Sequence, residues 1–461
     1  MDSNRRNFLK LAGLGATATG LGALPVLTGL SNKANAGALK NVVVIGGGFG
    51  GTTVAKYLRL WGQGQINVTH VNITGTYQSP ILSNLILNGQ KTLAQLTFNL
   101  AKAAQLNGIT FVQGIASLDQ ANSQVIVKDA FNNIVSQLPY DKVILSPGID
   151  FNYLPSMVSA NTGFTDKTLP IPHAWQSGDQ VLNLKAQIDK MPARTGVFVL
   201  CIPKKPYRCP PGPYERACVV ADIVKRVKKG GKVIIFDANT PVDGDPLGIY
   251  SAIQAEAHTF STAYTGQFAS IIEYVPNAAL VSVSNSGGQF GTKTVTVDIG
   301  GISRTESCHV LNVLPEHKAG KIAFDANLIP SGKFAAVSLD SYASTIDSKI
   351  HVIGDSHLSS QPKAGHIANS EAKVCADAIV REFGILPPRL VDEMPVTNSS
   401  CYSPITNTTA SWLTAGYRYK ADTNEMIRIP ESFGEASAPS SDNYKTMLAW
   451  ANNLFSDTFS V

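Results

Sequence analysis

Ten residues, Arg208-Cys209-Pro210-Pro211-Gly212-Pro213-Tyr214-Glu215-Arg216-Ala217, bring a thiol, a proline-built turn and a carboxylate together. Pro210 and Pro211 exclude a helix interior, Gly212 frees the backbone, and Pro213 suits a first helical turn. Cys209 is therefore expected on a rigid loop, with a helix starting near Pro213. A cysteine just ahead of a helix start feels the positive end of the helix dipole. That favours the thiolate, the form that attacks and leaves in disulfide exchange. The competing reading is a proline-rich loop whose cysteine is simply buried. These residues alone do not separate the two, so the elements around them must.

The first such element is a β-rich run, Asn41 to Ile45, followed at once by Gly46-Gly47-Gly48-Phe49-Gly50-Gly51 and by a helical pattern of Val54, Ala55, Leu58 and Leu60. Gly46, Gly48 and Gly51 form G-x-G-x-x-G between strand and helix, where glycines allow a tight turn and let the backbone approach a pyrophosphate. The next strand, Ile66 to Val71, leads into Asn72, where an acid usually holds the adenosine ribose. An amide still hydrogen-bonds a hydroxyl, without the charge that strengthens the bond. After an alternating run read as a meander (Gln124 to Lys128), the strand Val143 to Leu145 closes on Ser146-Pro147-Gly148. Later, His351-Val352-Ile353 ends in Gly354-Asp355, and Lys363-Ala364-Gly365-His366 follows. In this order the fingerprints point to FAD, with Gly46, Gly48, Gly51, Asn72, Pro147, Gly148, Gly354, Asp355 and Lys363 as the cofactor-binding candidates.

A second parallel unit runs from Gly196-Val197-Phe198-Val199-Leu200-Cys201 through the helix after Pro213 to Lys232 to Asp237. Its first loop carries Ile202 to Cys209 in place of a second glycine cradle, which argues against a nicotinamide there.

Composition sets outer bounds. The 461 residues, 44% hydrophobic and 15% charged, suit two or three globular domains with large cores. Outside residues 1–36 there are 34 basic and 32 acidic residues, a balance of +2 that asks for no nucleic acid. Residues 1–36 read as a twin-arginine export signal: Arg5-Arg6, an apolar run from Leu11 to Leu30, and Ala34-Asn35-Ala36 as the cleavage site. A membrane anchor is the alternative, against which Pro25 and the Gly and Thr residues of that run speak. The expected location is the periplasm. Six cysteines (Cys201, Cys209, Cys218, Cys308, Cys375 and Cys401) could pair in that compartment, and spacing does not fix the pairing. With no Cys-x-x-Cys there is neither a zinc pattern nor covalent haem, so any haem belongs to a partner. The final stripe Met447, Trp450, Ala451, Leu454 and Phe455 reads as a docked helix face, with no integral membrane segment expected in the mature chain.

Taken together, the sequence resembles the flavoprotein subunit of flavocytochrome c sulfide dehydrogenase, within the wider sulfide:quinone reductase group. The resemblance is carried by Gly46 to Gly51, Pro172-His173-Ala174-Trp175, Arg208 to Ala217, Ala319 to Ala323, His351 to Asp355 and Cys401-Tyr402-Ser403. It implies an α/β fold with two Rossmann-like dinucleotide-binding domains of the disulfide-reductase flavoprotein type and a C-terminal interface domain. On this reading residues 1–36 are the signal peptide, 37–155 and 306–388 the two parts of the FAD-binding domain, 156–305 the second Rossmann-like domain, and 389–461 the interface domain. The resemblance further implies a redox-active disulfide between Cys209 and Cys401 and a proton-accepting Glu215. The substrate is then sulfide or another small sulfur compound, and a c-type cytochrome subunit takes the electrons. Relatives with covalent flavin have a cysteine in the segment matching Thr76 to Asn84, where this chain has Pro80, so FAD is expected to be held non-covalently. The alternatives are a quinone reductase at the membrane surface and a flavin-carrying sulfur-trafficking subunit.

Overall fold

The computed structural model describes residues 39–240, 258–390 and 392–461. Arg5, Arg6 and the Ala34-Asn35-Ala36 site lie outside the described residues.

The first described strand, Lys40–Ile45, is an apolar run whose last four residues are all buried, as a strand covered on both faces requires. The Gly46–Gly48 turn leads into the helix Phe49–Trp61 and then the strand Ile66–Asn72, which pairs in parallel with the first from Lys40 opposite Ile66 to Ile45 opposite Val71. The helix buries Val54, Ala55 and Leu58 on the sheet, whereas Leu60 is 63% exposed. Two positions on from Leu58 places Leu60 on the far side of a 3.6-residue turn.

These strands belong to a seven-stranded sheet. Its order is Val337–Ser338, Ala343–Ser344, Ile350–Val352, Lys142–Leu145, Lys40–Ile45, Ile66–Asn72 and Thr110–Gln113. Ile350–Val352, Lys142–Leu145 and Lys40–Ile45 are neighbours and all parallel. Gly46, Ser146-Pro147-Gly148 and Gly354-Asp355 therefore leave the carboxyl ends of three adjacent strands. Because the chain departs from Lys40–Ile45 to both sides, a crevice opens there, at a topological switch point. The expected meander is a separate antiparallel sheet of Ile115–Asp119, Gln124–Lys128 and Ile134–Pro139.

The second parallel sheet runs Ile272–Val275, Lys232–Asp237, Val197–Ile202, Val310–Val313. Here the structure corrects the expected boundary between residues 305 and 306. Val310–Val313 pairs with Val197–Ile202, with Phe198 opposite Val310, so the second Rossmann-like sheet extends past 306. The crossover helix Gly212–Arg226 links Val197–Ile202 to Lys232–Asp237 and is buried along nearly its whole length.

The C-terminal segment forms an antiparallel sheet, Val396–Pro404, Ala410–Lys420 and Glu425–Glu435, followed by the helix Ser441–Phe459. That helix buries Met447, Ala451, Leu454 and Phe455, as its stripe predicts. Phe459 stacks on Phe98 at 4.3 Å between ring centres, and Asp457 pairs with Lys56 and Lys373. These contacts tie the C-terminal helix to the first helix and to the helix Gly365–Glu382. Among the described residues, no helix is long and apolar enough to cross a membrane.

Candidate active site

The crevice at the switch point is a cleft of about 650 Å³, lined by Gly46, Gly48, Asn72, Pro147, Gly148, Gly354 and Asp355. That volume lies inside the ~300–1,000 Å³ usual for cofactor sites. Gly46 has a φ of +115°, and a Cβ there would stand 2.2 Å from the Ser146 carbonyl oxygen. Gly51 does not line the cleft. It lets the helix approach the turn, since its Cβ would lie 1.8 Å from the Gly46 oxygen. Gly51→Ala is therefore expected to cost ~1–3 kcal/mol of stability by overpacking and to lower FAD retention. Thermal unfolding and the flavin-to-protein absorbance ratio measure the two effects.

The cleft fits a dinucleotide on three observations. The helix Phe49–Trp61 starts at Gly48 with no side-chain cap and no acid in its first turn, leaving N–H donors for a pyrophosphate. Asp355 has a buried Oδ1 with no hydrogen-bond partner, an acceptor suited to a sugar-chain hydroxyl. Burial pushes the Asp355 carboxyl up, against the pull of Arg208 and Lys363. Asn72 lines the cleft while bracing its turn: Oδ1 accepts the Gly47 N–H at 2.9 Å, and Nδ2 donates to the Thr74 carbonyl at 2.9 Å.

Lys363 does not line this cleft directly but a small cavity beside it, shared with Gly354 and Asp355. Its ammonium donates to the His357 carbonyl at 2.6 Å and sits 3.9 Å from the centre of the Phe334 ring. Its own carbonyl instead accepts the Cys209 N–H at 2.6 Å, so Lys363 supports the cysteine loop.

A smaller pocket, about 90 Å³, adjoins the cleft, and Pro80, Arg208 and Gly365 line both. Cys209, Cys401 and Glu215 all line it, although 192 positions separate the cysteines in sequence. No disulfide is present among the described residues. The two cysteines are close enough that Cys401 disfavours the Cys209 thiolate. Cys209 takes a φ of +57° ahead of the helix Gly212–Arg226, whose N-cap is Pro211. Gly212 is required by the sulfur: a Cβ there would lie 2.9 Å from Cys209 Sγ and 2.9 Å from the Trp175 ring.

The helix start is not the largest influence on Cys209. Burial, then Cys401 and Glu215, push its thiol well above the usual range, outweighing Arg208 and the Gly212 N–H. The helix end is one weak dipole, whereas loss of water acts on the full charge.

Glu215, in the first turn of that helix, is pushed up to about 7 by burial, against hydrogen bonds from Asn84 and Ser403 and the Arg216 charge. Asn84 Nδ2 donates to Glu215 Oε1 at 2.8 Å, and Arg216 Nε donates to Asn84 Oδ1 at 2.9 Å. A guanidinium only donates, so the orientation of the Asn84 amide is fixed by Arg216. Arg216 is itself buried, held by the His173 and Ala174 carbonyls and Asn312, with Trp175 against its face. The Trp175 indole donates to the Arg208 carbonyl at 3.1 Å, tying this shell to the cysteine loop.

Asn84, Trp175, Arg216 and Ser403 are functional neighbours that the sequence reading quoted inside motifs or passed over. Only the placement of Arg216 and Ser403 beside reactive residues could have signalled them. Cys218 is fully buried and lines neither cavity.

Comparison with known proteins places this geometry. A pyridine nucleotide-disulphide oxidoreductase family model matches residues 40–180. Sulfide:quinone oxidoreductase from the hyperthermophilic bacterium Aquifex aeolicus superposes with a TM-score of 0.71 at 15% identity, over 91% of each chain. Putidaredoxin reductase, solved in its covalent complex with putidaredoxin, does so with a TM-score of 0.57 at 17% identity, over 82% of this chain and 81% of that one. An NAD-dependent persulfide reductase from A. fulgidus has a TM-score of 0.57 at 14% identity, over 88% of this chain and 76% of that one. The fold is thus that of the pyridine nucleotide-disulphide oxidoreductases, with Rossmann-like sheets and an added C-terminal flavin-binding domain.

Two further family models are narrower. The central domain of the sulfide dehydrogenase [flavocytochrome c] flavoprotein chain matches residues 181–315, and the flavocytochrome c sulphide dehydrogenase flavin-binding domain matches 393–459. The chain thus carries the central and flavin-binding domains of a flavocytochrome c sulfide dehydrogenase flavoprotein chain.

Proposed function

We propose that this flavoprotein oxidises sulfide through a redox-active Cys209–Cys401 disulfide, with Glu215 as proton acceptor. The electrons then pass to a c-type cytochrome subunit in the periplasm. The carrying observation is that Cys209, Cys401 and Glu215 line one small pocket sharing Pro80, Arg208 and Gly365 with the dinucleotide cleft. At about 90 Å³ the pocket has room for roughly three water-sized groups of ~30 Å³ each, which suits hydrogen sulfide.

In the proposed step Glu215 takes a proton from hydrogen sulfide, and the resulting HS⁻ attacks one sulfur of the disulfide. The new S–S bond leaves a persulfide on that cysteine, while the broken one leaves a thiolate on the other. Trp175 and Pro80 cover the pocket, and Arg208 sets positive charge beside the thiolate as it forms. Gly46 to Gly48, Pro147, Gly148, Gly354 and Asp355 would hold FAD, which when bound supplies a two-electron acceptor able to release electrons singly.

No cysteine or histidine lines the cleft, which supports non-covalent FAD. Acid precipitation of the purified protein is expected to leave all FAD in the supernatant, and flavin retained in the pellet would contradict this. The Arg5-Arg6 and Ala34-Asn35-Ala36 motifs support the exported location.

The decisive experiment is anaerobic titration of the purified flavoprotein with sulfide, followed by addition of oxidised c-type cytochrome. Bleaching of the flavin by one equivalent, reversed by the cytochrome, is expected. Reoxidation by a quinone in lipid but not by the cytochrome would favour a quinone reductase. No bleaching at all would favour a sulfur-trafficking subunit.

A further inference from the structure

Cys401 lines the small pocket and also a second cavity of about 270 Å³. His366 lines the small pocket alone of these two, beside Cys209, Cys401 and Glu215, and the mechanism above gives it no task. It is the second residue of the helix Gly365–Glu382, and its Nδ1 accepts the Ser400 N–H at 2.9 Å. One turn further along, Ser370 Oγ accepts the Asn398 N–H at 3.2 Å. The strand Val396–Pro404 is at the edge of its sheet, so alternate N–H groups along it face outward without a strand partner. Four helical residues rise ~6 Å and two strand residues ~7 Å, so His366 and Ser370 meet Ser400 and Asn398 in register. The helix thereby grips the neighbour of Cys401.

A ring nitrogen that accepts a hydrogen bond carries no proton, so the neutral imidazole of His366 bears its proton on Nε2. Burial and then the Lys373 ammonium favour that neutral form. Among the described residues Nε2 meets no acceptor, and unlike the indole nitrogen of Trp450, which the ring meets edge-on at 5.9 Å, it is not sealed from the pocket. Other donors there are spent. Asn84 holds Glu215, the Arg216 guanidinium is taken up by carbonyls and amides, and the Trp175 indole donates to the Arg208 carbonyl. Arg208 and the Gly212 N–H favour a thiolate on Cys209. His366 offers Cys401 a corresponding donor.

We propose that His366 is a catalytic hydrogen-bond donor whose Nε2–H holds negative charge on the sulfur of Cys401. The inference rests on the disulfide mechanism proposed above and adds a residue to it. Whichever cysteine is attacked, Cys401 ends with charge to be held, as the departing thiolate or as an ionised persulfide. His366 stays neutral throughout, so no proton changes hands and no bond to the ring forms or breaks.

Asparagine and glutamine each keep half of the ring's hydrogen bonding. Asparagine Oδ1 takes the place of Nδ1 and still accepts from Ser400, whereas glutamine Nε2 takes the place of the ring Nε2 and still donates into the pocket. The full chain with its FAD is reduced by a phosphine, and alkylation of Cys401 by iodoacetamide at pH 7 is followed by mass spectrometry of its peptide. Only the thiolate reacts. His366→Asn should slow alkylation about ten-fold and His366→Gln at most about three-fold, a gap in keeping with one hydrogen bond to a charged atom. The kcat/KM for sulfide should follow the same order. Slower alkylation in His366→Gln than in His366→Asn would overturn the proposal by showing that only the Ser400 anchor matters, and equal rates in the two variants would overturn it as well. Because alkylation needs no sulfide, it tests His366 even if Cys209→Ser bleaches normally and the disulfide mechanism falls.

Discussion

Cys209→Ser is expected to lower sulfide-dependent flavin reduction by at least ~10³-fold, about 4 kcal/mol of barrier, while leaving FAD bound. A serine hydroxyl cannot form the disulfide that sulfide is proposed to cleave. The substitution should fold, because the loop is held by its backbone: the Cys209 N–H meets the Lys363 carbonyl and the Gly212 N–H meets the Cys209 carbonyl. Cys401→Ser should have an effect of the same size, and the double variant little more, since the two sulfurs act as one unit. Cys218→Ala provides the control, a buried thiol one helical turn beyond Glu215 that lines neither cavity. Stopped-flow bleaching under sulfide measures all four proteins. Bleaching at the wild-type rate in Cys209→Ser would mean that the cysteines are structural and that the chain carries flavin for a partner.

Burial gives this cysteine a character that the dipole argument missed. A thiol pushed upward by loss of water leaves more slowly, but its thiolate, once formed, is a stronger donor. Arg208 and the Gly212 N–H lower the cost of that state, and Arg208 also lines the cleft.

Features encoded by local turn chemistry were legible in the sequence. Gly46 to Gly51, Ser146-Pro147-Gly148 and Gly354-Asp355 each follow an apolar strand and need backbone freedom or a sharp exit, which a single chain segment can display. Strand order was not: Val310–Val313 reads as an apolar run that either parallel sheet could accept, and only its pairing with Val197–Ile202 decides. The Glu215 environment was hidden for the same reason, because its donor Asn84 stands 131 positions away and its orientation comes from Arg216. For Lys363 the sequence gives the position but not the direction of the side chain, which donates to the His357 carbonyl. The two faces of Cys401 exist only once three strands and a proline loop have packed around it.

Glu215→Gln should reduce kcat/KM for sulfide by ~10²–10⁴-fold, the usual worth of a positioned base. Its pH dependence separates catalysis from structure. With the carboxyl pushed up to about 7, wild-type kcat/KM should rise with pH through about 7 as Glu215 ionises, then fall as hydrogen sulfide itself ionises. In Glu215→Gln the rising limb assigned to the base should vanish. Asn84→Leu removes a donor to the carboxylate, so the rising limb should move to higher pH while the substrate limb stays in place. A limb unmoved by Asn84→Leu would show that it belongs to the substrate alone. Stability gives a second, independent reading with the opposite sense. The folded carboxyl holds its proton above the unfolded value of 4.5, so below that value neither state is penalised. As pH rises from 4.5 to about 7 the unfolded state ionises first and folding loses up to ~3 kcal/mol, a loss that stays constant at higher pH. Glu215→Gln escapes that loss. It should therefore be more stable than wild type at pH 8 and equal to it near pH 4, a signature measurable by denaturant unfolding of a variant that has nearly stopped oxidising sulfide.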